Sequence, residues 1–452
     1  MALFPGASRL PGTATGATAV LVGAGASLMC VISLGPMAAA LGAASTWIWS
    51  GTALVGGLQC LLLAELASRF PERAGGTPQY AYRAWPRGSA SLGALSAWSY
   101  WFAWTPGIAV NLILAAGYLH QLLLPALPPL PLALGIGVLL YALVASGWRP
   151  VTLIGTILAV AATAMIALIV AAPAVHPGTT HLAALAGLGP ALSGGGDGPA
   201  AAVAKWAFVA SWSSYAAETA STVAAELRGA RQAMGRVMTT SAAICLLACT
   251  LVPLALFSVA PRLVAGDPLT AFTAVARRVA GPAGGPVVGI GLAAVLILGA
   301  LAFIISSSRT IYQLAEDGHL PRLFAHVNRR GAPTGSILLD AAVITTMLLV
   351  FGTNVVNVVA AANVGYLIVF VLMPLAYLSL RRVRDTTAGA MRLGRWAVPL
   401  AAGLGLFNLV LLIAGGLQWG WTVFGLGLGI SLLILPVAAL NRRKASGSRH
   451  CG

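Results

Sequence analysis

The chain has 452 residues, 59% of them hydrophobic and 8% charged, with a formal net charge of +16. That leaves too little polar surface to coat a soluble globule, and long apolar runs recur from end to end, so the sequence reads as an all-α polytopic membrane protein. In a soluble chain the charge would suggest nucleic acid; here the arginines sit between apolar runs, and no basic, aromatic-interleaved motif for RNA or DNA is present.

Residues 1–14 contain Arg9 and two prolines and are expected to form a cytoplasmic tail. The apolar run after them is too long for a signal-peptide core and reads as a retained first span, about 15–41. It holds Gly23-Ala24-Gly25-Ala26-Ser27 and then Ser33-Leu34-Gly35-Pro36. The glycine run fits either a bend in the span or a close helix contact. The second span, about 45–67, carries Glu65 near its inner end, where it can pair with Arg69 one turn on. The third, about 89–123, contains Trp98-Ser99-Tyr100-Trp101-Phe102-Ala103-Trp104-Thr105-Pro106-Gly107. Spacings of three and four cluster Tyr100, Trp101 and Trp104 on part of one helix. Such rings form a wall for a cation or an apolar side chain, or serve as packing and interfacial anchors. Spans four and five follow at about 131–147 and 150–172. The Gly/Pro/Ala-rich stretch 173–199 reads as an exposed loop.

Span six, about 200–227, contains Ser211-Trp212-Ser213-Ser214-Tyr215-Ala216-Ala217-Glu218. Glu218 lies ten residues before Arg228, about 15 Å along a helix and close to the bilayer midplane. A carboxylate there is costly unless protonated, paired or wetted, and by default it marks an ion or proton pathway. The plainer alternative is a protonated glutamate bonded between helices. Ser211, Ser213 and Ser214 can bond backbone groups in place of a regular ladder. A span interrupted there leaves free N–H and C=O groups, tolerated only where backbone lines a cavity. Interrupted spans bind substrate in secondary transporters, and two of them five spans apart mark an inverted repeat. Lys205 reads as an interfacial snorkel or a coupling group.

The remaining spans are expected at about 234–260, 285–315, 337–353, 356–380, 396–416 and 420–440, making twelve. The acids or bases placed well inside the ten core spans are Glu218, Glu65 and Lys205. Arg309 and Asp317 are expected to close the inner end of span eight. With the N-terminus inside, all of the 26 basic residues fall on the cytoplasmic side except Arg262, Arg277, Arg278 and Lys205. The five cysteines (Cys30, Cys60, Cys245, Cys249 and Cys451) form no CxxC pair and read as packing rather than metal or redox groups. An intramembrane enzyme would need an HExxH-type metal site, paired aspartates or a nucleophile with its base; there is no HExxH, and His120, His319 and His326 lie at a helix end or in a loop. A channel or sensor of similar architecture stays open and would lack saturable, counter-ligand-accelerated flux.

Four blocks of this sequence resemble the amino acid–polyamine–organocation superfamily of permeases, and within it the arginine/agmatine antiporter type. They are Ala64 to Gly76 (AELASRFPERAGG), Trp101 to Leu119, Trp212 to Arg236 and Ser308 to Pro333. The resemblance implies two inverted five-helix repeats, about 15–172 and 200–380 within a core of 15–380, two further helices in 396–440 and a basic tail at 441–452. It implies substrate at the midplane between broken helices 1 and 6, with Trp212 and Phe303 as gating aromatics and Glu218 as a proton-sensitive group. Gly107 falls where that type has a polar contact, so the contact is missing here. The span-five lysine of some proton-coupled members is absent. The family's span-1 bend, counted back from Pro36, falls near Met29-Cys30-Val31 rather than at the glycine run. The expected substrate-binding set is Gly23, Gly25, Ser27, Trp104, Gly107, Trp212, Ser213, Tyr215 and Phe303, with Glu218 for proton coupling and no metal or cofactor. The expected activity is secondary active transport of amino acids by alternating access, as proton-linked symport or exchange; an amine or polyamine carrier, or an amino acid/amine antiporter, is the alternative. Expected partners are a small-molecule amino acid or amine, protons and membrane lipid, with a homodimer left open and no nucleic acid. The expected location is the plasma membrane, with both termini cytoplasmic.

Overall fold

The computed structural model describes residues 10–28, 31–85, 89–175, 185, 187, 189, 191–192, 198–260, 264, 271–351, 355–382 and 391–438. The expected basic tail, most of the N-terminal tail, Cys30 and Cys451 lie outside them. Among the described residues the protein is all-helical, apart from an isolated bridge between Ala14 and Leu227.

The helices are α1 (Gly16–Ser27), α2 (Val31–Leu41), α3 (Ser45–Arg69), α4 (Pro78–Ala84), α5 (Ser89–Leu122), α6 (Pro129–Ala145), α7 (Trp148–Val175), α8 (Pro199–Ser214), α9 (Ala230–Val259), α10 (Ala271–Ala280), α11 (Gly284–Glu316), α12 (Thr334–Phe351), α13 (Val355–Arg381), α14 (Ala397–Val410) and α15 (Trp421–Leu432). A 3₁₀ segment, Ala216–Glu226, continues α8, and a π turn, Leu411–Gly415, continues α14. Among the described residues, eight helices are long and apolar enough to cross a membrane. The shorter apolar helices α6 and α12 and the two interrupted pairs, α1–α2 and α8 with its 3₁₀ continuation, bring the crossings to twelve. The protein is therefore a polytopic membrane protein with breaks in the first and sixth crossings. Only helices satisfy their own backbone in lipid; the sixth break is buried within protein, as are Ser27 and Leu28 at the end of α1.

Burial separates the centre from the rim. The most apolar windows of α5 and α11 are 83% and 89% buried, whereas those of α7 and the last crossing are 22% buried and face outward. α5 and α11 pack along one another, α1 lies against the 3₁₀ segment, and α3 lies against α9. The start of the first crossing is pinned to the end of the sixth: Ala14 N–H donates to the Glu226 carbonyl (2.8 Å) and Arg228 N–H to the Ala14 carbonyl (3.1 Å).

Three local readings are refined. Of the two readings of the glycine run, the structure shows the close helix contact. α1 stays helical through Gly23 and Gly25 and ends at Ser27. The interruption follows, and Met29 and Cys30 themselves lie outside the described residues. A Cβ on Gly23 would stand 2.7 Å from Ser241 Oγ and 2.8 Å from the Ala217 carbonyl, and one on Gly25 would stand 2.9 Å from Leu298. These glycines let α1 approach the 3₁₀ segment, α9 and α11 closely. Second, the stretch 173–199 is not simply an exposed loop: Ala43 N–H donates to the Gly187 carbonyl, and the N–H groups of Gly189 and Ala191 cap the Leu41 and Ala40 carbonyls at the end of α2. Third, two short helices, α4 and α10, sit in connections read as loops.

Candidate functional site

The sixth crossing breaks because its local hydrogen bonding changes hands. α8 ends at Ser214, and Tyr215 N–H still reaches the Ser211 carbonyl (3.0 Å). The Ser214 carbonyl, left without a helical donor, faces the Cys245 thiol at 3.2 Å. The Ser211 hydroxyl donates to the Phe208 carbonyl (2.7 Å), and the Asn363 side-chain amide donates to the same carbonyl and to Ser211 Oγ. Thr219 Oγ1 bonds the Ala216 carbonyl at 2.7 Å, and the Val22 carbonyl on α1 lies 3.3 Å away. The 3₁₀ segment of the sixth crossing is therefore tied to α1, the first half of the other interrupted crossing.

Glu218 sits four residues past the end of α8 and is fully buried. Its Oε1 accepts the Tyr100 hydroxyl of α5 (2.7 Å) and the Tyr366 hydroxyl of α13 (3.2 Å). Its Oε2 accepts the Thr77 hydroxyl from the segment between α3 and α4. Three parts of the chain thus converge on one carboxylate, and among the described residues it makes no ion pair. Thr77 and Tyr366 were not singled out in the sequence. Thr77 belongs to a connection, and Tyr366 to a crossing with no local cue.

Beside Glu218 the rings form a continuous cluster. Trp104 stacks on Phe303 with centroids 4.5 Å apart and an interplanar angle of 21°, and lies 5.8 Å from Trp212 and 4.6 Å from Tyr366. Trp212 lies 5.8 Å from Phe303, and its Nε1 donates to the Ala103 carbonyl (2.9 Å). Tyr215 joins through Tyr366 and Phe370, at 6.5 and 5.1 Å. Its hydroxyl donates to Asn408 Oδ1 (3.2 Å), which lies in the eleventh crossing. Gly107 provides room for this arrangement: a Cβ there would stand 2.6 Å from the Trp212 ring and 3.2 Å from Phe303. The structure therefore brings Trp104, Gly107, Trp212, Tyr215 and Phe303 together, with Glu218 below them. Ser213 is buried nearby, with a hydroxyl that has no hydrogen-bond partner. Ser27 bonds back to the Gly23 carbonyl (2.9 Å) at the end of α1. Gly23 and Gly25 sit in helix contacts further along α1 rather than among the rings.

Ion pairs close the end of the bundle beyond Glu218. Glu65 pairs with Arg69 as expected (3.5 Å), and also takes Arg381 (3.4 Å), the Tyr377 hydroxyl (2.7 Å) and the Leu393 N–H (3.0 Å). Arg309 and Asp317 each find a partner outside their own helix end. Arg309 holds Glu226 at 2.9 Å, with Trp148 Nε1 also donating to Glu226 (2.8 Å). Asp317 receives Arg73 on both oxygens, at 2.5 and 2.6 Å. Lys205 lies over the Trp419 ring at 4.8 Å, in keeping with an interfacial snorkel.

One correction concerns the count of buried acids. Asp340, on α12, is fully buried, and with Glu226 (1% exposed) joins Glu218 and Glu65. It lies near the start of the ninth span, expected at about 337–353.

The family model described as Amino acid permease matches residues 14–439. A general amino acid permease of Saccharomyces cerevisiae (AGP2) is 31% identical over 133 residues, which cover 27% of this chain and 21% of the yeast protein. The relative shares a segment, while the family model runs through both breaks, the aromatic cluster and the final crossings: the chain belongs to the amino acid permease family.

Proposed function

We propose that the protein is a secondary active transporter that carries amino acids across the plasma membrane by alternating access, linked to protons, and that it is not an enzyme. One observation carries this reading. A fully buried glutamate sits at the break of the sixth crossing and takes hydroxyls from three other segments, with an aromatic cluster beside it. A membrane-embedded carboxylate without a cationic partner is a group that can take up and give back a proton. Its hydroxyl partners can each donate to the ionised form or turn to accept from the protonated one. Substrate would lie among Trp104, Trp212, Tyr215 and Phe303, with free backbone groups at the two breaks holding its charged ends. The unpartnered Ser213 hydroxyl supports a polar ligand contact there. The arginine distribution supports cytoplasmic termini.

The test is uptake into proteoliposomes of radiolabelled amino acids and their decarboxylated amines, with and without preloaded substrate, at two external pH values. Saturable uptake of an amino acid that rises at low pH is the expected result. Uptake of amines alone would replace the amino acid reading, and unsaturable flux that preloading leaves unchanged would replace the carrier by a channel.

A further inference from the structure

Asp340 is a second buried carboxylate that the reading above does not use. It lies on α12, and its contacts come from three other helices. Trp101 Nε1 of α5 donates to Oδ1 at 2.9 Å. The Tyr141 hydroxyl of α6 (2.9 Å) and the Ser307 hydroxyl of α11 (2.8 Å) donate to Oδ2. Among the described residues Asp340 makes no ion pair. Of the groups on neighbouring elements, Tyr141 is the titratable side chain in contact. Arg309, two residues past Ser307, is turned to Glu226, and Arg322, in the turn between α11 and α12, is exposed.

The two oxygens have different partners, and the difference is chemical. An indole N–H can only donate, so Trp101 holds Oδ1 in either protonation state. Hydroxyls can reverse. Ser307 Oγ stands 2.8 Å from Oδ2 and 3.4 Å from the Ile304 carbonyl. With the carboxylate ionised, Ser307 donates to Oδ2. With a proton on Oδ2, the carboxyl donates to Ser307 Oγ, and the serine hydrogen turns to Ile304. A proton from solvent is then bound with every hydrogen bond still made.

Of the helices that carry Trp101 and Ser307, the first reaches the other carboxylate, and the second reaches the 3₁₀ segment that carries it. Tyr100, next to Trp101 on α5, donates to Glu218; Ser306, next to Ser307 on α11, meets Thr222 of the 3₁₀ segment at 3.3 Å. We propose that Asp340 is a second proton-binding site of this carrier, with Ser307 as the hydroxyl that reverses, and that its protonation loosens the tie among α5, α6, α11 and α12. Charge-assisted hydrogen bonds are roughly twice as strong as neutral ones, so neutralising Asp340 weakens three contacts at once. The proposal rests on the proton-linked reading for its use in transport, and its binding step is tested without transport.

The experiment is infrared difference spectroscopy of the reconstituted full chain, following protonated-carboxyl absorption through a pH titration. A titrating carboxyl band present in the wild type and in Glu218→Gln, and missing in Asp340→Asn, is expected. Ser307→Ala keeps Asp340 but removes one donor from the ionised form, so the same band should move about one pH unit higher. Identical bands in the wild type and Asp340→Asn, or an unmoved band in Ser307→Ala, overturn the proposal. Uptake by Asp340→Asn should show a displaced pH profile; an equal fall at every pH would make Asp340 a structural tie and overturn its place in coupling. If Glu218→Gln leaves the uptake profile unchanged, the Glu218 reading fails, while Asp340 is still judged on its own band.

Discussion

Trp212 can lie across the centre of the protein because position 107 has no side chain. A Cβ there would overlap the indole at 2.6 Å, well inside contact distance. Gly107→Val should therefore displace Trp212 and abolish uptake. The overpacking should cost about 1–3 kcal/mol, so the variant should still fold, which thermal unfolding in detergent would check. Glu218→Gln acts differently. It keeps the size of the side chain and removes the titration, so uptake should lose its dependence on external pH, measured as the ratio of initial rates at two pH values. A ratio equal to that of the wild type would end the coupling role. Glu218, Trp104, Trp212 and Phe303 were legible from sequence because a charge or a ring cluster inside an apolar run, or a resemblance, marks each of them. Thr77, Tyr366 and Asn408 were not, because their part in the site depends on which distant segments meet. Asp340 was legible in principle, since it is an acid inside the ninth expected span, about 337–353.

The connection between α3 and α4 works as a plug. Its Gly75 N–H bonds the Thr222 carbonyl (3.3 Å), and Gly76, at φ 66°, comes so close that a Cβ would stand 2.7 Å from the Thr222 methyl. Only glycine takes that backbone conformation at that distance without strain. The plug carries Thr77 to Glu218 and Arg73 to Asp317, so it links the proposed proton-binding carboxylate to the ion pairs at the bundle end. Arg73→Ala leaves Asp317 buried without its cation, a change that costs about 3–5 kcal/mol when a buried pair is broken. The loss should fall on the closed arrangement. In a cysteine-free background carrying Ser221→Cys, the Arg73→Ala variant should react faster with a membrane-impermeant thiol reagent added from the arginine-rich side. An unchanged rate would show that the pair does not hold the plug. At this scale the sequence was legible for the long crossings and for the break after Ser214. The glycine run stayed ambiguous because small residues serve bending and close packing alike. α4 and α10 are too short for a periodic signal to stand out.

Across the whole molecule, the described ion pairs gather at one end. Glu65 with Arg69 and Arg381, Glu72 with Arg83 and Arg231, Arg73 with Asp317, and Glu226 with Arg309 all join segments at the end of the bundle beyond Glu218. The excess of arginine at this end is thus also the material of its ion pairs, since each buried acid there has a nearby guanidinium to meet. Composition showed the membrane class, and charge placement showed which end is basic. Neither could show the pairing, because Arg73 and Asp317 lie 244 residues apart. A carrier that alternates its access must open this end once per cycle, which means separating the plug from the end of α11. Joining the two should therefore trap it. With cysteines at positions 73 and 317 in a cysteine-free background, a short bifunctional thiol reagent should stop uptake, while either single cysteine treated alike should keep it. A cleavable reagent should restore transport on reduction. Full uptake by a protein shown to be cross-linked at both positions would mean that this end stays shut throughout the cycle, and that substrate leaves by another route.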